Sequence, residues 1–288
     1  MRTHYEWGGY QRGPAGKTRI LPTAPLPGMF GNAMNWESRI DILVMLAGIA
    51  AMPFVLRYNQ RFRIPVHVPP TEPPEDGVLP YPRTPRNKAE EQLHDLEFDY
   101  IGEFDASPGL KTKARLFYYL SPDRFFSACV IAFKAPAREV IVVEFLTRLS
   151  PIGSILTGDG TDANLFTREP GEVVVKAPWK KSVRDLYDLH RLLCMAATQE
   201  KYKLQQVNAR TAVDDFVAEF IKDYDRQVQA GYMRKINDKT YGSTFKGSLH
   251  AIPRVLLKLA TGWVRLVVPP PDEAICEKVV TQLRNTPR

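Results

Sequence analysis

The sequence predicts an α+β fold: one N-terminal transmembrane helix, a Pro-rich linker, then an antiparallel β-meander followed by three to four helices. Three observations predict it. One long apolar run lies near the N-terminus, prolines crowd the stretch just after it, and β-rich segments precede helical ones in the remainder.

The apolar run covers 40–56 (IDILVMLAGIAAMPFVL), and its only charged residue is Asp41. At ~1.5 Å per residue a helix of this length spans roughly 25 Å, close to the hydrocarbon core of a bilayer. Trp36 lies just before it, with Tyr58 and Phe62 just after, where interfacial aromatics belong. A helix in a globular core usually keeps a polar face, and 42–56 has none. A cleaved signal peptide fits worse, because its n-region would run 39 residues, its h-region would be overlong, and no clean small-x-small cleavage site follows it before Arg57. The span is therefore assigned to 40–58. Ala47, Gly48 and Ala51 offer it a side on which another membrane helix can pack closely.

Residues 1–39 form a Gly/Pro/aromatic tail without helical or strand periodicity, too poor in apolar area to fold alone. Tyr5, Trp7, Tyr10 and Trp36 are its expected anchors to a partner. After the span, 59–96 reads as the linker, with prolines at 65, 69, 70, 73, 74, 80, 82 and 85. In a polyproline-like conformation of ~3.1 Å per residue, its proline-rich part reaches up to roughly 70 Å. A short polar helix at 87–96 ends it.

The globular domain is placed at 97–288. Strands are expected at 113–120 and 126–134, around the turn Ser121-Pro122-Asp123-Arg124, then at 139–149. Two more, 153–157 and 163–167, flank Gly158-Asp159-Gly160, and 171–176 is the last. Helices follow. Ser182 is the expected N-cap of 183–197. Asn208 or Thr211 opens a second helix ending near residue 230, with Gly231 as its stop. A polar loop is expected at 233–244, a third helix at 251–267, and a last one at 272–284 after three prolines.

Composition is ordinary for a folded chain at 25% charged and 44% hydrophobic residues, apart from 24 prolines. Cys129, Cys194 and Cys276 are far apart, which makes neither a disulfide framework nor a metal cluster. A net charge of +7 points to an acidic partner. With no helix-turn-helix, RNP-like or zinc-finger signature and an apolar span, anionic lipid headgroups or an acidic protein fit better than nucleic acid. Arg57, Arg61 and Arg63 follow the span, against Arg39 alone in the 20 residues before it. That bias places the domain on the cytoplasmic side of an inner or cytoplasmic membrane, with the tail opposite. The tail as a whole has five cations, so a longer window narrows the bias.

The third helix is the most informative feature of the domain. Lys246, His250, Arg254 and Lys258 recur every four residues, Arg265 follows, and 240–268 contains no acid. Lys246, Arg254, Lys258 and Arg265 are therefore the expected contacts to lipid headgroups or an acidic subunit, opposite an apolar side carrying Trp263. The bland alternative is a surface helix with its apolar side in the core. His190 and Cys194 stand one helical turn apart, but no third ligand supports a metal site, and half-buried positions on an amphipathic helix explain both. Asp159 and Asp162 read as turn residues, and Asp214, Asp215, Glu219, Asp223 and Asp225 as a solvated helix face. No nucleotide-binding or hydrolase motif occurs, so no catalytic site, cofactor or metal is expected.

These features point to a non-catalytic accessory subunit or assembly factor of a multi-subunit membrane complex, whose other integral subunits receive the span and tail. A membrane-anchored enzyme with a dispersed site and a lipid-surface binding module are the alternatives. In layout alone the chain resembles the single-span H subunit of bacterial reaction centres and supernumerary respiratory subunits. That likeness implies an energy-transducing complex, photosynthetic or respiratory, as the setting, and no motif carries it.

Overall fold

In a computed structural model of the chain, the described residues are 48, 51–55, 57, 61–68, 83–106, 113–135, 138–151, 153–160, 168–253 and 270–286. The tail anchors Tyr5, Trp7, Tyr10 and Trp36, most of the apolar run, and Arg254, Lys258 and Arg265 lie outside them. No helix among the described residues is long and apolar enough to cross a membrane. The fold is α+β, with a large meander-like sheet, a small second sheet and several helices.

The large sheet runs in the order β2 (Val66–Val68), β3 (Asp99–Asp105), β4 (Lys113–Leu120), β5 (Ser127–Ala135), β6 (Arg138–Ser150), β7 (Ser154–Gly158) and β8 (Glu172–Lys176). Neighbours from β2 to β7 are antiparallel, as the meander predicts, and β8 returns parallel to β7. β6 outruns its partner β5, and the short β9 (Lys203–Gln205) pairs with its far end. The turn at 121–124 is held by its own side chains. Asp123 Oδ1 accepts from the Ser121 hydroxyl (2.6 Å) and from the Phe125 amide (3.1 Å), which is why Ser-Pro-Asp reverses the chain here.

Alternation along these strands feeds two cores. On one face Phe117, Val130, Phe145, Ile155 and Val173 meet α1 (Arg83–Asp95), α2 (Val183–Gln199) and α4 (Asp272–Arg284). Phe145 is fully buried, with Phe98, Tyr187 and His190 rings at 5.8, 5.3 and 5.8 Å. Truncating such a residue to alanine costs about 3–5 kcal/mol. Ser182 does cap α2, its hydroxyl accepting from the Asp185 amide at 3.0 Å. On the opposite face Phe104, Leu116, Tyr118 and Leu120 meet Phe216, Val217 and Phe220 of α3 (Ala212–Gln229).

The second sheet lies on the far side of α3 and has the order β1 (Arg61–Arg63), β11 (Thr240–Ser243), β10 (Met233–Asn237). Phe62, Met233 and Tyr241 pack with Val217, Tyr224 and Val228. This sheet corrects two expectations. Residues 233–243 form a hairpin rather than a loop, because Met233 and Tyr241 pack toward α3 while Arg234, Thr240 and Gly242 take the other face. The domain begins at β1 rather than near residue 97, so 61–68 is woven into both sheets. Of the expected linker, 61–63, 66–68 and 83–95 belong to β1, β2 and α1, and α1 begins at Arg83, not Asn87. A further helical segment starts at 245, six residues before its expected start, and is described to 253.

Candidate functional site

The His190–Cys194 pair on α2 is fully buried, not half-buried. Its surroundings are Thr147 on β6 and Thr157 on β7, both on the sheet face that α2 covers. The Thr147 hydroxyl donates to the Phe125 carbonyl at 3.1 Å, which uses its one proton. It must therefore accept from His190 Nε2–H at 2.9 Å, leaving Nδ1 to accept from the Thr157 hydroxyl, also at 2.9 Å. The imidazole is neutral and fixed in one tautomer. Burial without a nearby carboxylate pushes its pKa down to about 3, and burial pushes the Cys194 thiol up to about 12. With Cys194 Sγ 3.7 Å from Nε2, the pair resembles a thiol–imidazole dyad by distance alone. A dyad needs a thiolate or a basic imidazole in reach of solvent, and these groups are neither. Their role is to satisfy a polar island inside the main core.

On the other face a transverse row crosses the sheet: Tyr118, Cys129, Glu144, Gly158 and Lys176 stand in register on five successive strands. Lys176 reaches over Gly158 to Glu144 at 2.5 Å. A Cβ on Gly158 would stand 3.1 Å from Glu144 Cγ and 3.2 Å from Lys176 Nζ, so glycine leaves the lane for this ion pair. The next residue, Asp159, closes the strand end: its carboxylate accepts from the Val143 amide at 2.8 Å, and burial raises its pKa. It serves the turn, as expected. The acids of α3 are dispersed as well. Glu219 pairs with Arg148, Asp223 with Arg226, and Asp225 accepts from the Tyr241 hydroxyl.

The surface that gathers the sequence's basic and apolar signals lies where the apolar run leaves off. Residues 51–55 and 57 are helical, and Phe54 stands 5.4 Å from Phe245 at the start of the 245–253 segment. Phe54 is 62% exposed, Val55 53%, Phe245 41%, Leu249 47% and Ile236 43%. These make five of the nine large exposed hydrophobics among the described residues, drawn from three short stretches of chain. Register places Arg61, Gly242 and Arg234 side by side on one face of the small sheet, with Arg63 and Thr240 in the next row. The opposite face is the one packed on α3, so all three arginines point away from the core and are exposed.

Cations dominate here. Within 57–68 and 231–253 stand Arg57, Arg61, Arg63, Arg234, Lys235, Lys239 and Lys246, against one acid, Asp238. Asp238 is taken by Lys235 at 3.2 Å. Lys246, expected to face an acidic partner, is engaged within the chain. Its ammonium donates to the Ala230 carbonyl (2.7 Å), at the C-terminus of α3, and lies 4.9 Å from the Tyr232 ring centre. His250 stacks on the same ring at 4.7 Å. Among the described residues no side-chain hydrogen bond or ion pair engages the guanidinium of Arg57, Arg61, Arg63 or Arg234. Sequence reasoning counted the first three only as topology signals and missed Arg234, whose place in one row with Arg61 no local pattern reveals.

Of the proposed helix-packing residues, Gly48 and Ala51 are helical and exposed, and a Cβ on Gly48 would meet nothing within 4 Å. Ala47 lies outside the described residues. Groups of three or more His, Cys, Asp or Glu side chains able to hold a metal ion do not occur among the described residues. Comparison with protein-family models, with curated proteins and with solved structures finds no match for this chain.

Proposed function

We propose that the chain is a non-catalytic accessory subunit or assembly factor of a multi-subunit membrane complex, held by a single span at 40–58 with its domain on the cytoplasmic side. Energy-transducing complexes, photosynthetic or respiratory, are the setting its layout matches. The observation that carries the reading is the join between apolar run and domain. Helical Arg57 is followed within four residues by β1, an integral strand of the second sheet. Four residues reach at most about 14 Å. A domain joined this way is held near the end of its anchor, at one height, as a subunit that seats against fixed neighbours requires. A long tether would suit a roaming catalytic domain better.

The exposed Gly48–Ala51 side adds to the reading, because nothing in the described chain fills it. Small residues let helices approach closely where lipid tails supply no hydrophobic drive. The test is purification of the native protein from membranes in mild detergent. A stoichiometric assembly of integral proteins is expected, and Gly48→Leu is expected to weaken it while carbonate washing still leaves the variant in the membrane. A chain that runs alone in every mild detergent overturns the reading.

A further inference from the structure

We infer that the outer face of the small sheet, with Arg61, Arg63 and Arg234 at its centre, docks on anionic lipid headgroups. The inference rests on the anchored reading above and names what its domain sits on. Three observations converge. The first is charge. The two stretches that build this surface hold seven cations against one acid, and that acid is paired with Lys235. The arginines carry no internal partner among the described residues, so their guanidinium donors are available to phosphate oxygens, which they match in planar, bidentate geometry.

The second is apolar exposure at the same place. Phe54, Val55, Ile236, Phe245 and Leu249 are exposed on segments that lie within a few residues of these strands in the chain, and Phe54 meets Phe245 across them. Exposed rings and aliphatic side chains on the same short segments as arginines are the composition that settles at a bilayer interface, with apolar groups among the acyl ends and cations at the phosphates. An acidic protein would satisfy the arginines but leave no reason for Phe54 and Val55 to be bare at the end of an apolar run.

The third is continuity. Arg61 is four residues beyond helical Arg57, so a span ending near 57 holds β1 within about 14 Å of the bilayer. Arg234 is brought to the same row by pairing through Gly242, which contributes no side chain between the two arginine positions. The lipid surface is thus presented to the arginines at high local concentration. Each cation near an anionic leaflet adds roughly fivefold to the docked population, so three together are worth on the order of a hundredfold.

The experiment uses the full chain in nanodiscs of phosphatidylcholine alone, or with a third phosphatidylglycerol. A nitroxide is placed through Ile236→Cys, with the unsubstituted chain as control for labelling at Cys129 and Cys276. Protection of the label from a water-soluble relaxant is expected in the anionic discs. It should be lost in neutral discs, in high salt, and in the variant Arg61→Gln/Arg63→Gln/Arg234→Gln. Equal exposure in both lipids overturns the inference. So does a label that is open in anionic discs but protected in native membranes, which assigns the face to an acidic protein. Carbonate-resistant flotation reads the anchor separately. Protein stripped by carbonate, yet bound to anionic vesicles through the three arginines, refutes the span and keeps the docking face.

Discussion

His190 makes the domain sensitive to mild acid, and the size of the effect follows from its setting. In the unfolded chain the imidazole takes a proton near 6.5; in the folded chain burial delays this to about 3. Between those values the unfolded state binds one more proton, so falling pH draws the chain toward it. The contribution is complete above pH 6.5 and declines steadily below it. At pH 5 the loss amounts to about 2 kcal/mol, or roughly 4–8 °C in Tm for a domain of this size. His190→Gln isolates it: the amide can still donate to Thr147 and accept from Thr157 but does not titrate. Thermal melts of the full chain in mild detergent at pH 7 and pH 5 should show the wild type losing those extra degrees relative to the variant. Equal losses in both proteins would refute the reasoning. So would an imidazole resonance of His190 that titrates near 6.5, a measurement that does not depend on how the variant folds.

Other substitutions test the packing that builds the surface. In Gly247→Ala the new Cβ would lie 2.1 Å from the Tyr232 carbonyl oxygen, a backbone atom that cannot swing away. A loss of about 1–3 kcal/mol is expected in denaturant melts, and an unchanged midpoint would count against the close approach. Glu144→Ala and Lys176→Ala should each cost about 1–3 kcal/mol by leaving a partly buried charge alone. Their double variant should cost less than the sum, and simple additivity in urea titrations would show that the pair over Gly158 does not interact. Ser182→Ala should remove about 1 kcal/mol by freeing the Asp185 amide, read as a small drop in Tm.

What the sequence alone determined was local and periodic. Runs rich in β-branched and aromatic residues marked β4 through β8, the Ser-Pro-Asp turn joined two of them, and Ser182 with its 3.6-residue apolar rhythm announced α2. Asp272–Arg284 and Ala212–Gln229 were legible for the same reason. Each of these elements buries a continuous face, and a continuous face leaves a pattern in consecutive residues. The small sheet left none. β1 is three residues long and lies about 180 residues from its partner β11 in sequence, so only the folded chain could bring Arg61 into one row with Arg234 through Gly242. Prolines at 65 and 69 made the same stretch read as linker, although Pro65 falls between β1 and β2, where no ladder hydrogen bond is asked of it. Tertiary structure also reassigned individual charges. Lys246 looked free on a helical wheel, yet the end of α3 lies within reach of its ammonium. Arg234 looked like one cation among many, and the second sheet turns it outward beside two others. A charge's availability depends on which carbonyls and carboxylates the fold brings within a few ångströms, and that is a property of long-range packing.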